Sequence, residues 1–233
     1  AEGTSVIENA AKEPEIVDLS IFLNAMGANI RGAGTEVIKI QGVRRLRPVE
    51  HSIISDRIEA GTYMIATLAA GGEVTLDNIV PEHLRTPIAK LREAGLHIVE
   101  DDTFLHLRAE GRPSPVDLET AVYPGFPTDL QQPFVALLSL ADGASVVKET
   151  VFSDRFRYVD ELRRMGADVR VEQDTAIIRG VERLTGAPVE ATDLRAGGRR
   201  PEKVRALGAE VSFDGLDFAL EQERAVLERR LRA

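Results

Sequence analysis

Three aspartates recur in one setting, each directly ahead of an apolar stretch: Ser55-Asp56-Arg57, Thr128-Asp129-Leu130 and Thr192-Asp193-Leu194-Arg195. An aspartate at the start of a helix caps orphan backbone N–H groups. A carboxylate at the edge of a cleft is also a candidate general base. For Asp56 the capping role is the simpler reading. Asp129 closes a proline-bracketed loop, Tyr123-Pro124-Gly125-Phe126-Pro127-Thr128, and loops on a rigid scaffold commonly carry function. Arginines accompany the aspartates. Arg155 and Arg157 flank Phe156 in the run Glu149 to Arg157, and Arg195 follows Asp193 closely. They are either solvated charges or a guanidinium clamp on carboxylate or phosphate, for which the planar fork is suited.

Other chemistries are poorly represented. The chain has no cysteine, so it supplies no thiolate nucleophile, disulfide or cysteine-ligated metal. The four histidines, His51, His83, His97 and His106, form no ligand-spaced pair and are expected on the surface or in hairpins. A net charge of −9 argues against a broad nucleic-acid surface, while leaving room for a small anion held by local arginines. No apolar run is long enough to span a membrane and no signal peptide is visible, so cytoplasmic residence is the default expectation.

The elements that must position these residues repeat. Glycine-led strands begin at Gly3, Gly72 and Gly143, and a second mark falls at Gly27, Gly95 and Gly166. The period is about 70 residues, and a fixed period of this kind signals stacked units. In the second unit, 58–70 is apolar nearly all round and predicts a helix buried on every side. Gly71-Gly72 ends it, and Glu73 to Leu76 alternates as a strand. Pro81 suits the first turn of a further helix with Leu84, Ile88 and Leu91 on one face. A hairpin then turns at Asp101-Asp102. The third unit repeats this: a buried helix from Gln131 to Leu140, a strand from Ser145 to Lys148, an amphipathic helix through Phe156, Val159 and Leu162, and a hairpin around Gln173-Asp174. The first unit shows only a strand at Thr4–Ile7, a helix at Pro14–Met26 and a hairpin around Gly32 to Gly34. Each full unit is thus a buried helix followed by β-α-β-β. This predicts helices packed centrally within small sheets, not one parallel doubly wound sheet. A boundary is expected near Pro48-Val49-Glu50, dividing 1–50 from a domain at 51–233.

The ordered motifs Glu8 to Ile16, Asp56 to Thr62, Phe126-Pro127-Thr128-Asp129, Glu149-Thr150-Val151-Phe152 with Arg155, and Ala191 to Arg195 closely resemble the UDP-N-acetylglucosamine enolpyruvyl transferase (UDP-N-acetylglucosamine 1-carboxyvinyltransferase) family. The resemblance runs from Gly3 to Arg195 and resumes near Glu202. It implies an α/β fold of the inside-out barrel type. It also implies transfer of enolpyruvyl from phosphoenolpyruvate to the sugar 3′-hydroxyl with release of phosphate, the first committed step of peptidoglycan synthesis, with no metal or organic cofactor. By the same resemblance, Asp129 would be the base and, with Thr128, Val151 and Phe152, would line the UDP-N-acetylglucosamine site. Arg155, Asp193 and Arg195 would face phosphoenolpyruvate or phosphate.

The chain also departs from that family. It matches the family's C-terminal portion, and the family's lysine-asparagine pair and mobile loop have no counterpart in it. Asp193 stands far closer to Gly208 than Asp56 does to Gly95, so the last repeat is expected to be shortened between Arg195 and Glu202. Turnover by the chain alone is therefore not expected, and the alternative is a non-catalytic remnant with weak nucleotide-sugar binding. Residues 218–233 read as a charged helix. That helix, or core left exposed by the loss, offers a route to self-association.

Overall fold

The computed structural model describes residues 2–189. The first unit runs β1 (Thr4–Glu8), α1 (Pro14–Ala25), β2 (Asn29–Arg31) and β3 (Val37–Gln41). The second runs α2 (Arg57–Ala70), β4 (Gly72–Leu76), a 3-10 turn at Pro81–Leu84, α3 (Arg85–Glu93), β5 (His97–Glu100) and β6 (Leu105–Ala109). The third runs β7 (Leu118–Glu119), a 3-10 turn at Thr128–Leu130, α4 (Gln131–Leu138), β8 (Ala144–Lys148), α5 (Val159–Arg164), β9 (Asp168–Glu172) and β10 (Thr175–Arg179).

The three units share one wiring. Their sheets are ordered β1-β3-β2, β4-β6-β5 and β7-β8-β10-β9, so the last strand of each unit lies between the other two of its repeat. These pairings are antiparallel, with equivalent registers: Thr4 opposite Gln41, Gly72 opposite Ala109, Ala144 opposite Arg179. The second glycine mark has a backbone cause. Gly27, Gly95 and Gly166 have φ of 99°, 106° and 94°, which L-residues rarely adopt. Each ends a helix with the same paired bonds: Gly95 N donates to Arg92 O at 3.0 Å and Leu96 N to Leu91 O at 2.9 Å, and both pairs recur at Gly27 and Gly166. This is the Schellman stop, which turns the chain from helix into hairpin.

The core lies between the second and third units. The apolar helices α2 and α4 pack side by side, each backed by its own sheet. Met64, Leu68, Leu130, Phe134, Leu137 and Leu138 are almost fully buried. Phe126 meets Phe134 edge to face at 5.3 Å between ring centroids, a favoured aromatic geometry. Gly61 permits the close approach, since a Cβ there would stand 2.4 Å from Leu130 Cδ1. No closed barrel forms among the described residues.

Three features differ from expectation. The amphipathic helix predicted through Phe156 shrinks to Val159–Arg164, and the stretch before it is taken up by turns that include the left-handed Asp154. An unpredicted short strand, β7, pairs in parallel with β8. Although α1 is rich in apolar residues, only Pro14 and Ser20 are buried on it. Leu19, Ile21, Val6 and Ile7 are half-exposed, leaving an apolar face on the first unit.

The segment 42–56 has no helix or strand. It lies back along α1, with Arg47 N donating to Met26 O at 2.8 Å and His51 Nε2 lying 3.0 Å from Asp18 Oδ1. His51 is largely buried there, against Phe22 as well, so the surface placement expected for it is wrong. His106, on β6, keeps its hairpin position beside Thr75 and Glu73.

Candidate active site

The three carboxylates read from the sequence behave differently. Asp56 is an N-cap, as its spacing predicted. Its Oδ1 accepts from Ile58 N at 2.8 Å and Glu59 N at 3.2 Å. Asp129 sits in the 3-10 turn that leads into α4. Its Oδ1 accepts from Arg155 Nη2 at 2.7 Å. Asp193 and Arg195 lie outside the described residues, as do the last repeat, expected to be shortened, and the 218–233 segment.

Arg155 directly follows the left-handed residue Asp154. The second Arg155 nitrogen, Nη1, donates to Thr128 Oγ1 at 2.8 Å, and the guanidinium lies 5.0 Å from the Phe152 ring centroid. The fork is thus spread over two adjacent residues of the turn. Only 11% of the Arg155 side chain is exposed, against 31% for Asp129. A charge pair so withdrawn from water is stronger than one at the surface. Arg157 is different: it pairs with Asp154, three residues before it, and is well exposed.

The organising residue is one to which the sequence reading assigned no role. Glu149, 3% exposed, sits immediately after β8. Its Oε1 accepts from Val151 N at 2.8 Å and Phe152 N at 3.1 Å. Its Oε2 accepts from Thr128 Oγ1 at 2.8 Å and Gln131 Nε2 at 3.3 Å. Tyr158 Oη in turn donates to Gln131 Oε1 at 2.8 Å. A buried carboxylate is tolerated only when its lone pairs are satisfied, and here four donors from three segments satisfy them. The one available signal was an acidic residue directly following a strand that is apolar on its inner face.

Four residues tied into this network, Thr128, Asp129, Val151 and Phe152, border a cleft of about 330 Å³, with Arg155 and Glu149 behind them. One wall comes from Thr128, Asp129, Val151 and Phe152, and the opposite wall from Ala11, Glu13, Glu15 and Ile16 of the first unit. Arg57 and the Tyr123 loop close the end. Glu13 Oε2 is buried and has no hydrogen-bond partner among the described residues. Glu15 is drawn in two directions. Burial pushes its carboxyl up, but the hydrogen bonds from Arg57 and its own backbone N–H, with the Arg57 charge, hold it below the ordinary carboxylate value. The His83 imidazole is lowered, first by burial and then by the Arg57 charge.

The cleft therefore offers a carboxylate held from behind by a guanidinium fork, with a wall held by Glu149. That is equipment for gripping an anion next to a proton acceptor. Among the described residues no group of histidine and acidic side chains could hold a metal, and no helix is long and apolar enough to cross a membrane.

Comparison with known proteins places the chain in a class. The family model for EPSP synthase (3-phosphoshikimate 1-carboxyvinyltransferase) matches residues 1–198, and the chain belongs to that family of carboxyvinyl (enolpyruvyl) transferases. Among curated relatives, UDP-N-acetylglucosamine 1-carboxyvinyltransferase 2 of Symbiobacterium thermophilum is 61% identical over 198 residues, covering 84% of this chain and 46% of that protein. UDP-N-acetylglucosamine 1-carboxyvinyltransferase 3 of Caldanaerobacter subterraneus subsp. tengcongensis is 51% identical over 234 residues, covering 100% of this chain and 56% of that protein. The chain thus spans about half the length of these relatives. The fold is similar to that of the enolpyruvyl transferase NikO from Streptomyces tendae, with a TM-score of 0.69 at 24% identity, over 84% of this chain and 47% of that one. The inside-out type of α/β fold expected from the sequence accords with that likeness.

Proposed function

We propose that the cleft serves transfer of the enolpyruvyl group from phosphoenolpyruvate to the 3′-hydroxyl of UDP-N-acetylglucosamine, with release of phosphate. The observation that carries this reading is the Arg155 fork, which holds Asp129 and Thr128 on the cleft wall. The nucleotide sugar would lie against Thr128, Val151 and Phe152, with its 3′-hydroxyl toward Asp129. The phosphate of phosphoenolpyruvate would draw on Arg155, and it would compete there with the Asp129 carboxylate. A carboxylate relieved of part of its guanidinium contact is a better proton acceptor.

The chemistry balances without a further reactant. The sugar oxygen bonds to C2 of phosphoenolpyruvate as its proton passes to Asp129, while C3 takes a proton from solvent. The C2–O bond to phosphate then breaks, C3 returns a proton to solvent to restore the double bond, and Asp129 gives its proton to the departing phosphate or water. The soluble, cell-wall-building role of the intact enzyme, and the division of the chain near Pro48, belong to the same proposal.

The test is phosphate release by the intact gene product given phosphoenolpyruvate and UDP-N-acetylglucosamine. Release that is lost in Asp129→Ala supports the reading. Release undiminished by that change overturns Asp129 as the base. Nucleotide-sugar binding without phosphate release favours the alternative, a fold-keeping binder that does not turn over.

A further inference from the structure

Arg57 occupies an odd place. It is the first residue of α2, directly after the Asp56 cap, at the end of a helix whose dipole disfavours a cation. It contributes little to starting α2, yet its side chain is only 12% exposed. Its contacts reach outward instead. Nε and Nη2 donate to the two carboxylate oxygens of Glu15, on α1, at 3.1 and 3.0 Å. Its guanidinium lies 5.5 Å from the centroid of the Tyr123 ring, in the loop that leads to Thr128 and Asp129. Fork and face are thus used at once, on two separate segments that line the cleft.

We propose that Arg57 is a positioning residue that sets the opening of the cleft. Its fork fixes the 13–16 segment that begins α1, including the unpartnered Glu13 oxygen, and its stacking fixes the Tyr123 loop. A ligand bridging the walls finds them already spaced, and such preorganisation raises affinity without new contacts. The identity of that ligand rests on the function proposed above; the clasp itself does not.

The experiment uses the intact gene product with Arg57→Met, Arg57→Lys and Glu15→Gln. Three quantities are read: amide hydrogen exchange of 11–16 and 121–127 without ligand, the His83 imidazole titration, and the Kd for UDP-N-acetylglucosamine. The charged groups acting on His83 are Arg57, Glu15 and Glu82, so its titration moves upward when Arg57 becomes methionine. Arg57→Met should speed exchange in both segments and raise Kd about tenfold or more. Arg57→Lys keeps charge without the fork and should fall between. Glu15→Gln, at a half-exposed site, should shift exchange in the same direction with the fold intact. Unchanged exchange in both segments, with His83 shifted, overturns the clasp. Faster exchange with an unaltered Kd overturns its role in binding. Faster exchange in a protein that never binds UDP-N-acetylglucosamine leaves the clasp standing and sinks the proposed substrate.

Discussion

Glu149 accepts the Thr128 hydroxyl at 2.8 Å while that same oxygen accepts from Arg155 at 2.8 Å. Thr128 is therefore a relay between a buried anion and a cation behind the cleft wall. The predicted consequence is that Glu149→Gln is far from conservative. Glutamine keeps one oxygen for Val151 N and Phe152 N, but its amide nitrogen then meets two donors, Thr128 Oγ1 and Gln131 Nε2. A buried unmet donor costs about 1–3 kcal/mol, so a destabilisation of about 2–3 kcal/mol is expected in urea unfolding. An unchanged midpoint would contradict this account of the site.

Arg155→Lys should act on binding more than on stability. Lysine keeps the charge but reaches Thr128 and Asp129 from a single nitrogen, without the planar fork. Affinity for phosphoenolpyruvate should fall by about tenfold or more, read by calorimetry, while the thermal midpoint moves little. Equal affinity in the variant would remove Arg155 from the anion site.

Gly61→Ala tests the packing behind the turn. Alanine favours a helix by about 1 kcal/mol over glycine. Here the added methyl would stand 2.4 Å from Leu130 Cδ1, and overpacking costs about 1–3 kcal/mol. Net destabilisation is expected, with nuclear resonances of Thr128 and Asp129 displaced because Leu130 is their neighbour in the turn. A stabilised protein would show that α2 and α4 pack less closely than described.

Stability should fall on acidification in two stages. His83 has a folded value below its ordinary 6.5, so the unfolded state binds its proton first. Stability is complete above the unfolded value and declines as pH falls below it toward the folded value. Glu15, lowered from 4.5, likewise contributes above its unfolded value and loses that contribution as pH falls through the folded one. His83→Gln should flatten the first stage and spare the second. A urea titration at successive pH values reads both, and a first stage that survives the substitution would assign it to another group.

Legibility followed the range of the cause. The glycine beat was plain in the sequence because each mark is a backbone demand, φ near 100° at a Schellman stop, satisfied within six residues. The Asp56 cap was legible for the same reason. The resemblance named Asp129 and Arg155 with separate roles, but their direct contact was not legible, because it joins a turn to a loop 26 residues later. Glu149 went unassigned because its donors, Thr128, Gln131, Val151 and Phe152, meet only after β8, α4 and the intervening loop have packed. The shortening of α5 was hidden too, since the turns before it, with a left-handed aspartate at 154, leave no mark in an apolar pattern that otherwise continues. Nor does composition tell that α1, as apolar as α4, faces outward.

The cleft is bounded by four separate stretches of the chain, within 11–16, 57–58, 121–129 and 151–152. Whatever fills it will act as a removable cross-link between the first unit and the rest. A ligand that binds only the assembled walls stabilises by mass action, so melting temperature should climb with its concentration. The unit most affected would be the one with the thinnest core of its own, that of β1, α1, β2 and β3. Occupancy of the cleft would then be readable as protection of a sheet that touches no reacting atom.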